Sequence, residues 1–193
     1  TFTMLTSNVS AYVYTNVENA AEKVNLALNK AAFASSEETS TFTASKATDG
    51  IIDRESSKSS RWACERYENS PWIVVDLGEK QSFNQIVINW ERRNVNDYKI
   101  EISDDSKSWT SIYIGEESTE FVENINVGNQ EARYIKVTIN DYSATSEGVT
   151  WETVSIYEIE VYGDDSIVET DPAPGVNVAL NKTASASSVE TTD

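Results

Sequence analysis

Histidine is absent from this 193-residue chain. That removes histidine general-base catalysis, histidine-containing triads and histidine-ligated zinc. A single cysteine, Cys64, excludes an internal disulfide and a cysteine-cluster metal site. No apolar run reaches the ~18 residues that a membrane-spanning helix needs. Basic residues are few, 15 against 32 acidic ones, for a formal charge of −17. Nucleic acid, with about one charge per 1.7 Å of duplex, would be repelled, and so would an anionic bilayer. Neither is expected as a partner.

Aromatic residues, in contrast, are plentiful. Five Trp and nine Tyr argue against disorder, which goes with few aromatics. At one domain per ~100–200 residues, the length fits one domain with a remainder.

An internal repeat organises the chain. Val24–Ser40 reads VNLALNKAAFASSEETS and Val176–Thr192 reads VNVALNKTASASSVETT, identical at twelve of seventeen positions at an offset of 152 residues. The expectation is one complete module over 24–163 and the start of a second copy over 176–193. Residues 164–175 carry two of the three prolines, as expected of a stiff exposed linker. Residues 1–23 read either as the tail of a secretion signal, with Val9-Ser10-Ala11 resembling its small-residue cleavage site, or as an N-terminal linker.

Within the module apolar residues alternate with polar ones. Tyr98, Ile100 and Ile102 form one such run, Ile135, Val137 and Ile139 a second, Ile159 and Val161 a third. Period two with β-branched and aromatic residues predicts half-buried antiparallel strands. WIVVDLG and FNQIVINW are more continuously apolar, as strands buried in a sandwich are, and SDDSKS and NVGNQEA punctuate as turns. Glu18–Phe33 has helix-former composition, but its copy follows Pro172-Ala-Pro-Gly175. Asn25–Leu28 and Ala31–Ser35 are therefore read as extended, with at most a helical turn at Glu18–Lys23. The fold class is all-β, a two-sheet sandwich.

Six segments in order over ~140 residues carry a family resemblance: NLALNKAAFASS, KATDG with SRW, PWIVVDLGEKQSFNQIVINWE, DYKIEISDDSKSW, ARYIKVTI and SIYEIEVYG. They resemble the discoidin superfamily, the coagulation-factor type C domains, and look most like family 32 carbohydrate-binding modules of secreted bacterial glycoside hydrolases. The resemblance implies a jelly-roll β-sandwich of about eight strands, a structural Ca²⁺, and sugar binding through loops at one end.

Asp49-Gly50 is a tight-turn dipeptide in its own right. In the family it opens a calcium loop, and Ca²⁺ takes six to eight oxygens, many of them carbonyls. Carried over by position, Asp49 supplies a carboxylate, Lys46 and Ile51 carbonyls, and Ser60 a carbonyl or hydroxyl. Tyr157 supplies a carbonyl and Glu158 a carboxylate, with Asp53 an alternative in the long Gly50–Trp62 loop. The plain reading of Glu158 is a solvent-facing strand residue that alternates with Ile159.

Trp72, Trp109, Phe83, Tyr98 and Tyr134 fall inside strand patterns and read as core, while Trp62 matches a family position beneath the loops. Trp151, in the polar stretch SEGVTWETVS, reads either as an exposed platform for a pyranose face or as a strand anchor. Polar partners for sugar hydroxyls are sought at Glu37, Glu65, Tyr67, Arg92 and Asn94. Galactose-binding relatives carry a histidine after the Trp that Trp62 matches. Ala63 stands there in this chain, which leaves the sugar open.

With 32 acids a carboxylate pair of glycosidase type arises by chance, and no nucleophile elbow, P-loop or zinc motif occurs. Cys64 reads as a structural thiol. The functional expectation is a non-catalytic module that binds glycans, acts alongside tandem modules and a catalytic domain in one chain, and works at a secreted or bacterial cell-surface location. A cell-surface adhesion domain and a structural spacer are the alternatives.

Overall fold

A computed structural model describes residues 23–55, 60–118, 120–143, 145–146, 149–150 and 152–163. The expected linker, the second repeat copy, the N-terminal segment up to residue 22 and Trp151 lie outside the described residues.

Nine strands form there: β1 (Ala31–Ala34), β2 (Trp62–Ala63), β3 (Trp72–Trp90), β4 (Val95–Ser103), β5 (Thr110–Gly115), β6 (Val122–Tyr142), β7 (Thr145–Ser146), β8 (Val149–Thr150) and β9 (Ser155–Tyr162). A 3-10 helix spans Ala44–Thr48. Seven strands share one antiparallel network in the order β2-β9-β3-β6-β4-β5, with β1 beside β3, and β7 pairs β8. The fold is the expected all-β discoidin-like sandwich. No helix among the described residues is long and apolar enough to cross a membrane.

The two long strands, β3 and β6, make two layers out of one network. Early in β3, Trp72–Asp76 pairs with Tyr134–Thr138 of β6, and Ile73–Asp76 pairs with β1. Later, Gln85–Asn89 pairs with Val122–Asn126 of β6 and with β9. Between these halves the register slips twice, and Gly78 and Gly128 adopt φ of +89° and +64°, a conformation open to glycine at little cost. Bulges bend strands and raise their twist, so each strand passes from one layer to the next.

The enclosed core includes Trp62, Trp90, Tyr98, Phe83, Ile73, Leu77 and Ile86, all essentially buried. Trp90 meets the Tyr98 ring edge-on at 5.4 Å. Trp72, Trp109 and Tyr134 are only partly buried: Trp72 opens β3, Tyr134 takes the outer phase of β6, and Trp109, expected inside a strand, lies just before β5. The Lys136 ammonium sits 4.2 Å over the Trp109 ring. Near the N-terminus Asn25 bridges to Tyr162, but Leu26–Asn29 turns instead of extending. Leu28 and Lys30 donate their N–H groups back to Asn25 and Ala27.

Gly115 shows how tightly the core is set. A Cβ there would lie 2.0 Å from Tyr98 Cε1, and the ring cannot retreat because Trp90 stands behind it. Gly115→Ala is expected to lower stability by about 1–3 kcal/mol through overpacking, read as a reduced urea midpoint with an unchanged slope.

Candidate functional site

Backbone hydrogen bonds draw the loops after β1, β2, β3 and β6 to one end of the sandwich. Glu38 N–H donates to the Ala63 carbonyl (2.8 Å), Cys64 N–H to Val154 (3.0 Å), Tyr67 N–H to Glu152 (2.8 Å) and Ser143 N–H to Asn94 (2.7 Å). Side chains add to the weave. The buried Trp62 indole donates to the Ser36 carbonyl at 2.9 Å, Glu65 N–H donates to Ser36 Oγ at 2.8 Å, and Ser36 Oγ donates to Glu68.

A cleft of about 320 Å³ opens there, lined by Glu38, Phe42, Arg61, Arg66, Glu91 and Glu152 with Thr150 and Thr153. That is the lower range of small-ligand pockets. Its floor is an ion pair: Arg61 Nε lies 3.1 Å from Glu91 Oε2, with the side chains only 13% and 11% exposed. The Arg61 guanidinium also stacks on Phe42, 3.7 Å from the ring centroid, and Arg92 Nη2 approaches the other Glu91 oxygen at 3.6 Å. Glu91 is thereby fixed in direction, a preorganised acceptor at low local dielectric. On the rim, Arg66 lies 3.5 Å from Glu38 and 3.6 Å from Glu152. Glu152 (φ +63°) and Tyr67 (φ +59°) both hold left-handed backbone, strain that persists only where surroundings over-determine it. The Glu152 carboxylate holds the Tyr67 phenol above its ordinary range. Such a cleft suits a ligand that offers adjacent hydroxyls together with a cationic group.

A second opening, of about 380 Å³, lies where β5 leads into β6 and is lined by Glu116, Glu117, Glu120 and Glu123 with Tyr113 and Val122 among others. Among the described residues no basic side chain lines it. The smaller cleft carries both charge signs in fixed geometry and is the better candidate.

The sugar-binding residues expected from the sequence distribute unevenly. Tyr67 is exposed beside the cleft-lining Arg66 but does not itself line the cleft, and Arg92 braces Glu91 from outside the lining. Glu37 and Glu65 do not line the cleft; both are exposed, and Glu37 accepts the Ala44 N–H at 2.8 Å and so caps the 3-10 helix. Asn94 is a correction. It is 3% exposed and donates its amide to the Ser143 and Thr153 carbonyls, both at 3.0 Å, so it ties two loops together beneath the surface. Asn94→Ala is therefore expected to lower stability by about 2 kcal/mol, the scale of stranding buried polar groups. Urea melts check this, and an unchanged midpoint with lost glycan binding would return Asn94 to the site. Trp151 lies outside the described residues, between the cleft-lining Thr150 and Glu152. Sequence reasoning misses Glu38, Phe42, Arg61, Arg66, Glu91 and Glu152, although all but Phe42 adjoin a residue it names.

The cation site expected around Asp49 is assembled differently from a free cage. Asp49 Oδ1 accepts Ile51 N–H at 3.0 Å, and its Oδ2 accepts Ser60 Oγ and Lys46 Nζ at 3.5 Å. Glu158 is 1% exposed, which corrects its reading as solvent-facing: β9 is buried on both faces through its first five residues. Glu158 Oε2 accepts Gly50 N–H at 3.1 Å, while Oε1 is buried with no hydrogen-bond partner among the described residues. Burial, with Asp49 nearby, pushes its carboxyl up to about 8. An orphaned buried oxygen beside a second carboxylate suits a hard cation. Among the described residues no three acidic or thiol side chains converge, so most of the donors would have to be carbonyls, as Ca²⁺ accepts. Tyr157 is buried under the Arg54 guanidinium (5.0 Å), and Ile51 is half exposed. Cys64 is buried, its Sγ accepting Val154 N–H at 3.2 Å, and burial pushes the thiol up to about 11.

Comparison with known proteins follows the same lines. The profile of the NedA-like, galactose-binding domain (F5/F8 type C) matches residues 46–137. No curated protein gives a match. Among solved structures, chitosan-binding module 1 of a chitosanase/glucanase from Paenibacillus sp. IK-5 is 36% identical with a TM-score of 0.62, over 72% of this chain and 99% of that one. Module 2 of that enzyme, solved with chitotriose, is 32% identical with a TM-score of 0.61, over 72% and 100%. A Clostridium perfringens module, CpGH89CBM32-4, solved with GlcNAc-α-1,4-galactose, is 21% identical with a TM-score of 0.60, over 74% and 95%. That last likeness speaks to the fold alone. With identity above 30% across entire solved modules, the chain belongs to the discoidin family, the coagulation-factor type C domains.

Proposed function

We propose that this chain is a non-catalytic carbohydrate-binding module that holds a larger secreted bacterial glycoside hydrolase against glycans, and that its ligands are oligosaccharides of amino sugars. The observation that carries the reading is the Arg61–Glu91 pair flanked by Glu38 and Glu152, in a chain 36% identical to a chitosan-binding module. Chitosan is a polymer of glucosamine, whose amines are protonated in mildly acidic water. Carboxylates accept from an ammonium in strong charge-assisted bonds, and a guanidinium spans neighbouring hydroxyls. The chain's −17 charge adds long-range attraction to a polycation. Trp151 keeps its proposed place as a stacking platform.

In this reading the module occupies 24–163 and a second copy begins at 176. Tandem weak sites gain through effective concentration. One Ca²⁺ sits between the Asp49 turn and Glu158 and serves structure, not chemistry.

A glycan panel with the full chain tests the function. Glucosamine oligomers should give the strongest signal, falling with added salt. Flat signals across amino-sugar, galactose-terminated and plant glycans would leave the spacer reading standing.

A further inference from the structure

The rim of the cleft holds an arrangement that goes beyond sugar binding as such, though it rests on the amino-sugar reading above. Arg66 is 65% exposed, yet it spans two carboxylates that are only 21% and 23% exposed, Glu38 from the loop after β1 and Glu152 from the loop before β9. Its contacts, at 3.5 and 3.6 Å, are long beside the roughly 2.7–2.9 Å of a close charge-assisted bond. Exposed pairs of this kind contribute little and yield readily to competitors.

The backbone that carries the two acids is held without Arg66. Glu38 N–H donates to the Ala63 carbonyl and the Glu152 carbonyl accepts Tyr67 N–H, and the Glu152 carboxylate is near enough to the Tyr67 phenol to hold it above its ordinary range. Remove the guanidinium and two anions remain in the lining of the same cleft. The geometry points to Arg66 as a built-in occupant of the position that a ligand's ammonium takes, so that a protonated amino sugar binds by displacing it from Glu38 and Glu152. Arg66 then sets selectivity. A glucosamine unit replaces the lost charge pairing, whereas its N-acetylated counterpart has no cation to offer and gains nothing by the exchange.

Calorimetric titration of the full chain at mildly acidic pH and low salt, with the glucosamine trimer and with the N-acetylglucosamine trimer, tests this. Arg66→Gln should bind the glucosamine trimer about three- to tenfold more tightly than wild type, the scale of two exposed ion pairs no longer to be displaced. The gain should shrink in high salt and be absent for the N-acetylated trimer. Arg66→Lys, which keeps the cation, should stay near wild type, and the exposed position leaves both variants folded. If wild type binds the glucosamine trimer and Arg66→Gln binds it no better, or worse, Arg66 touches the sugar directly and the inference is wrong. If neither wild type nor Arg66→Gln binds amino sugar at all, the amino-sugar reading itself has failed, and this inference with it.

Discussion

Glu91→Gln should reduce affinity for glucosamine oligomers about a hundredfold while leaving the module folded. Glu91 and Arg61 are both nearly buried at the floor of the cleft, and removing the carboxylate that a ligand's ammonium meets in such a desolvated position costs about 2–5 kcal/mol of binding. About 3 kcal/mol is two decades. Glutamine keeps the volume and one acceptor oxygen for Arg61, so packing against Phe42 survives, but it cannot balance an ammonium and a guanidinium together. Calorimetry reads the affinity, and thermal melting separates lost charge from lost fold. A Glu91→Gln protein that melts normally and binds like wild type would move recognition away from this floor.

Chelation should produce the largest change in stability. A ligand that binds only the native state contributes about 2.7 kcal/mol at a hundredfold excess over Kd, which for a module of ~140 residues lowers Tm by roughly 5–15 °C on removal. The pH dependence has a definite sign. With the folded carboxyl of Glu158 at about 8 and its ordinary value at 4.5, the unfolded chain releases this proton over a window in which the folded chain still holds it. Stability of the chelated protein therefore falls as pH rises from about 4.5 to about 8. A bound cation favours the ionised form, so Ca²⁺ should raise Tm more at a pH of about 8 than at a pH of about 5. Glu158→Gln should flatten the pH slope of the chelated protein and weaken its response to Ca²⁺. An unchanged Tm on chelation, with no metal in elemental analysis of the native protein, would contradict the site.

Sequence patterning made the strands legible because one-sided burial leaves period two in plain view, as at Tyr98–Ile102 and Ile135–Ile139. It misled at Glu158, where β9 is buried on both faces and alternation no longer marks solvent. Loop residues were harder by one position. Glu37, Glu65 and Arg92 were singled out, while Glu38, Arg66 and Glu91 beside them line the cleft. In extended backbone, successive side chains point to opposite sides, and nothing local in a loop says which side faces the cleft. Arg61 pairs with Glu91 from a distant part of the sequence, and Asn94 is buried by Ser143 and Thr153 from other loops. Such contacts are set by topology. The helix-former composition before Phe33 yielded to pairing of β1 with β3, tertiary context overriding weak propensity.

The proposed function turns on recognition of amino sugar at the loop end between Arg61–Glu91 and Glu152. Titrating isotope-labelled full chain with the glucosamine trimer, and following backbone amide shifts, tests it most directly. Shifted amides should cluster at 36–43, 61–68, 91–94 and 150–154, with those at Glu116–Glu123 unmoved. Shifts centred on Glu116–Glu123 instead, or a spectrum unchanged at saturating trimer, would contradict it.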